Sequence, residues 1–74
     1  MDNKIFDWLH DMMKPANNET EVLVVKNDEP VAYGRLDRTI DPHTGEHVFM
    51  VEKFEFTEEQ VDRVNEEALI IYMK

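Results

Sequence analysis

The side chains able to do chemistry in this 74-residue chain are few and fall into two groups. His43 and His47 lie beside Asp41 and Glu46, and a His-x3-His spacing holds zinc when a helix or a closed knuckle presents it. Here Pro42 and Gly45 break the stretch into a turn and no further ligand cluster supports it, so no metal is expected. Glu58, Glu59, Asp62 and Glu66 form the second group, a run of carboxylates in the C-terminal quarter. Nucleophilic catalysis lacks its parts: the chain has 0 Cys, no serine and only 2 Gly, so neither an activated nucleophile nor a glycine-rich phosphate loop can be assembled. The expectation is a protein that is not an enzyme and uses no cofactor.

Charge narrows the partners. Seventeen acidic residues stand against 8 basic ones, for a formal net charge of -9. Such a field repels phosphate backbones and anionic head groups, and it attracts basic protein surfaces. Direct nucleic-acid binding and membrane-surface binding are therefore not expected. No apolar run approaches a membrane span, no signal-peptide core is visible, and the lack of cysteine suits a reducing compartment, so a cytoplasmic location is expected.

Residues 1–74 suffice for one domain, which buries roughly 60% of its unfolded surface. Ile5, Trp8, Leu9, Met12 and Met13 follow the spacing of one helix face, with Asp2 or Asn3 as cap and Pro15 as stop. After a polar loop over 16–20, Val22, Leu23, Val24 and Val25 read as a strand covered on both faces or set at a central position. Asn27-Asp28-Glu29-Pro30 reads as a turn.

The organising stretch is Ala32 to Phe56, two strands joined at Asp41–Glu46. There Asp41 can accept from amides ahead of it, and Gly45 supplies a left-handed position. Period two puts Val48, Met50, Phe54 and Phe56 on the core side, with Tyr33, Phe49 and Val51 outside. A bulge near Glu52 would instead turn Phe49 and Val51 inward, and both registers stay open.

Thr57-Glu58-Glu59-Gln60 has the form of a capping box, with Phe56 and Val61 as a staple. It predicts a second helix to the C-terminus, with Val61, Val64, Ala68, Ile71 and Tyr72 on its buried stripe. The expected fold is α+β, in the order α-β-β-β-α, with a three-stranded antiparallel meander and both helices packed on one face. On that second helix Glu58, Glu59, Asp62 and Glu66 form an outward ridge able to imitate phosphate spacing and occupy a basic groove. Leu69, Ile70 and Met73 make its tip apolar all round, to be covered by the first helix, a second copy or a partner. Tyr33 and Phe49, flanked by Arg35 and Lys53, make a second candidate contact surface. Aromatics beside bases also suit single-stranded nucleic acid, which the overall field opposes.

In size and charge the chain resembles the accessory proteins of phages and mobile elements, many of which inhibit host machinery. That resemblance implies an inhibitor docking on a basic surface of a nucleic-acid-handling or defence enzyme. The alternative is a small homo-oligomeric accessory protein with no inhibitory role.

Overall fold

The computed structural model describes residues 3–15, 17 and 19–74. Helix α1 spans Asn3–Asp11, and the strands are β1 Glu21–Lys26, β2 Glu29–Ile40, β3 His47–Val51, β4 Phe54–Phe56, β5 Val61–Asn65 and β6 Ile70–Met73. A single 3-10 turn, Glu58–Gln60, joins β4 to β5. The six strands form one mixed sheet in the order β4-β3-β2-β1-β6-β5. All neighbours are antiparallel except β1 and β6, which run parallel with Val24 opposite Ile71.

This overturns the expected α-β-β-β-α order with two helices: the chain is 51% strand and 16% helical. The second helix is absent among the described residues, where 61–73 forms a hairpin instead. Its start signal is real but short-lived. Gln60 Oε1 accepts from the Thr57 amide at 2.8 Å, and the Gln60 amide donates to the Thr57 carbonyl at 3.1 Å. One 3-10 turn then gives way to Val61, Val64, Ile70, Ile71 and Tyr72, whose β-branched and aromatic side chains fit a pleated surface better than a helix. Asn65 seals the change of direction. Its Oδ1 accepts from the Glu67 and Ala68 amides at 3.1 and 3.0 Å, and Leu69 adopts a left-handed φ of 58°.

The long expected third strand is also broken. Glu52, with φ 55°, and Lys53 turn the chain so that β4 folds back on β3, with Val51 opposite Phe54. Phe49 and Val51 are fully enclosed and Val48 and Met50 only half-buried, so a turn, rather than a bulge, sets the faces of β3. The other turns follow from composition. Asn27 and Asp28 both take positive φ, 54° and 62°, as a two-residue hairpin turn requires. At the tip Asp41 Oδ1 accepts from the His43 amide at 2.8 Å, and Gly45 sits at φ 75°.

Sequence position forces the sheet to curl. In a flat sheet the first and sixth strands would stand roughly 24 Å apart, five steps of ~4.8 Å. Phe56 and Val61 end and begin those two outer strands, and five extended residue steps reach at most about 18 Å, less with a 3-10 turn among them. The sheet therefore closes round a core in which Trp8 and Leu9 of α1 and Met12 just past its end meet Val22, Val24, Leu36, Phe49, Phe56, Val61 and Ile71. The helix itself stops at Asp11, ahead of Pro15. Its end unwinds through Met13 and Lys14, whose amides reach back three residues to His10 and Asp11 at 3.1 Å. The Asp2 cap and two positions of the polar loop, Ala16 and Asn18, lie outside the described residues.

Candidate functional site

Phe6 and His10 stand four residues apart on one face of α1, and His47 and Phe49 two apart on one face of β3. Packing α1 into the curled sheet brings the four rings together. His10 lies 4.1 Å from Phe6, 5.2 Å from His47 and 5.8 Å from Phe49, centroid to centroid, and the His47 and Phe49 rings stand nearly perpendicular to it. This edge-to-face arrangement suits aromatic quadrupoles. Arg38, reaching over from β2, places Nη1 3.2 Å from His10 Nδ1. A guanidinium only donates, so Nδ1 is the acceptor and neutral His10 carries its proton on Nε2. That Nε2 and His47 Nδ1 are enclosed with no hydrogen-bond partner.

Burial first, then the Arg38 guanidinium and the neighbouring His47, hold the His10 pKa below the usual 6.5, with Asp7 pulling weakly the other way. The unfolded chain therefore binds a proton that the folded chain refuses. Stability is fully present above pH 6.5 and falls as pH drops below that value toward the folded pKa, where the decline ends. Urea midpoints measured in steps from pH 7.5 to 5 are expected to fall on the acid side with a slope of at most about 1.4 kcal/mol per pH unit, one proton's worth. His10→Gln should flatten that part of the profile.

The ring cluster separates two openings of opposite charge. On one side a pocket of about 200 Å³ has the Phe6 and His47 rings and Thr57 at its wall and Glu46, Glu58 and Glu59 around it. On the other a groove of about 450 Å³ runs between His10, Met13 and Lys14 of α1 and its exit and Arg35, Leu36, Asp37 and Arg38 of β2.

The residues expected to act together are dispersed by this fold. Glu58 and Glu59 lie in the 3-10 turn beside the acidic pocket, Asp62 on β5, and Glu66 in the β5–β6 turn at the other end of that strand. No helix carries them as a ridge. Asp62 is the residue that the β5–β6 register skips, and its carboxylate lies 3.9 Å from Arg63. Leu69, Ile70 and Met73 do not form a bare tip: all three are half-buried, and Leu69 and Met73 pack against the core. Phe49 is 0% exposed, which removes it as a contact residue, whereas Tyr33 is 55% exposed. His43 stays on the exposed hairpin tip while His47 joins the ring cluster, and no three His, Asp or Glu side chains converge as metal ligands among the described residues. Sequence alone does not single out Phe6, His10 and Arg38. The i, i+4 pair Phe6–His10 is the available signal, but nothing local says that β3 lies opposite.

Neither family models, nor curated proteins, nor solved structures give a match to this chain. No helix among the described residues is long and apolar enough to cross a membrane.

Proposed function

We propose that this chain is a non-enzymatic binding protein that docks on a basic surface of a larger protein, with an enzyme that handles nucleic acid as the partner class. One observation carries the reading. Glu46 from the β2–β3 turn and Glu58 and Glu59 from the 3-10 turn line a pocket walled by Phe6 and His47, and among the described residues no lysine or arginine lines it. An arginine or lysine entering there meets an aromatic ring for its stem and carboxylates for its head. The net charge of -9 supports the same direction by steering basic surfaces toward the chain. Inhibition of a host enzyme would follow if the surface so covered is the one its nucleic acid needs.

Assembly of copies through the Glu29–Arg35 stretch of β2, which β3 leaves unpaired, is the less favoured reading, because that side is guarded. Glu52 Oε1 accepts from the Tyr33 amide at 2.7 Å, and the β1–β2 register skips Val31, a bulge beside the same position. Both devices blunt strand-to-strand pairing.

Titrating the ¹⁵N-labelled protein with a hexa-arginine peptide tests the docking reading by NMR. Shifts are expected to concentrate at Glu46, His47 and Thr57 to Gln60 and to weaken as salt rises from about 50 to about 300 mM. Replacing Glu46, Glu58 and Glu59 together by glutamine removes three rim charges at about 0.5 kcal/mol each, roughly a tenfold loss of affinity. Shifts spread evenly over Asp62, Glu66 and Glu67, or unchanged in the triple variant, would sink the proposal.

A further inference from the structure

Alternation along the strands leaves part of the outer sheet face apolar. Val22, Val24 and Ile71 point into the core with α1, so Leu23 and Val25 of β1 and Ile70 and Tyr72 of β6 point out. Register sets these side by side: Leu23 is flanked by Tyr33 and Ile70, and Val25 by Pro30 and Tyr72. The four from β1 and β6 are half-buried and Tyr33 is 55% exposed, yet none of the five joins the core or packs against it. Further along the sheet the outer face is broken by charge, as at Met50, which stands between Asp37 and Glu55. The block itself holds no charged residue. Bordering it are Glu21, opposite Arg35, and Arg63, which lies 4.0 Å over the Tyr72 ring.

We propose that a second copy of this chain covers the block, outer face to outer face, as a weak symmetric dimer. The block matches itself. A two-fold axis lying between the two faces, parallel to the strands and midway between β1 and β6, exchanges those strands. It sets Leu23 over Ile70 of the second copy and Val25 over its Tyr72, so apolar meets apolar. The same axis exchanges β2 with β5, which brings Tyr33 of one copy to the side of the other that carries Asn65 and Arg63, a polar rim round an apolar centre. Four neighbouring strands at ~4.8 Å and four residue steps of ~3.3 Å, with side chains overhanging the margins, give a footprint of roughly 400 Å² per copy. An exposed apolar patch of that size marks an interaction site, and two such footprints, about 800 Å² together, lie at the weak end of specific interfaces. A basic partner is the wrong occupant, because the block offers it no carboxylate. The contact runs face to face, so it does not use the guarded side of β2, and no residue of the block lines the acidic pocket.

Sedimentation equilibrium on the intact chain, from about 10 µM to about 1 mM, should show the average mass rising toward that of two chains. Each copy carries a net charge of -9, so raising salt from about 50 to about 500 mM should tighten the dimer by screening the repulsion between copies. NMR shifts that change on dilution are expected at Leu23, Val25, Tyr33, Ile70 and Tyr72. Tyr33→Lys and Ile70→Thr should each weaken association about tenfold, since a two-fold contact loses every substituted side chain twice. Ile40→Lys is the matched control: it makes the same charge change at a 52% exposed apolar residue outside the block, and it should associate like the unaltered chain. Tyr33 is exposed enough that its variant keeps the fold, so loss of the dimer there reports on the face. A monomer at every concentration, association that weakens with salt, equal association of the Tyr33→Lys and Ile40→Lys variants, or dilution shifts confined to Glu29 to Arg35 would overturn the proposal.

Discussion

Phe49→Ala is expected to leave the protein unfolded at room temperature. The ring is 0% exposed, stacked on Phe56 at 5.9 Å and met edge-on by Phe6 and His10. Deleting so enclosed an aromatic costs about 3–5 kcal/mol, because the curled sheet cannot collapse into the space without pulling β3 from its neighbours. A domain of this size has roughly 4–11 kcal/mol in total, and commonly the lower end. Circular dichroism melts should show the cooperative transition lost or moved far down in temperature. Tyr33→Ala is the control, since a 55% exposed ring should change stability by no more than about 0.5 kcal/mol. A near-normal melt for the Phe49 variant would put that ring on the surface after all and reverse the faces of β3.

Ile71→Ala should cost nearly as much, about 2–5 kcal/mol, for a different reason. Ile71 is 0% exposed and sits opposite Val24 on the parallel join between β1 and β6, which ties the C-terminal hairpin to the rest of the sheet. A cavity there weakens both sides of the join at once. Its neighbour Ile70 faces the other way and is only half-buried, so Ile70→Ala should shift the urea midpoint by less than half as much. Equal losses at the two positions would contradict a strand at 70–73.

These two residues also show where sequence reasoning succeeds and where it stops. Local periodicity is legible in α1: of the stripe Ile5, Trp8, Leu9, Met12 and Met13, three are buried and the other two pack against the core. Turn chemistry is legible at Asp41 and Gly45, because side-chain acceptors and positive φ are decided within a few residues. The segment after Thr57 is not. Its capping box does form, but box and staple specify only a first turn, and the path of the chain beyond Gln60 depends on whether β1 has an empty edge to offer. That edge is occupied from nearly fifty residues away, beyond any local window. The same limit applies to the site. Glu58 and Glu59, expected on a helix ridge, instead flank a pocket, while His10 and His47 carry no mark in sequence of facing each other.

The parallel join has one more consequence, for biosynthesis. β1, near the middle of the sheet, keeps one side unsatisfied until β6 emerges, and β6 is the last of the six strands to be made. Nascent chains stalled before Ile70 clears the exit tunnel should therefore be open to protease throughout, with protection arriving in one step once β6 is free.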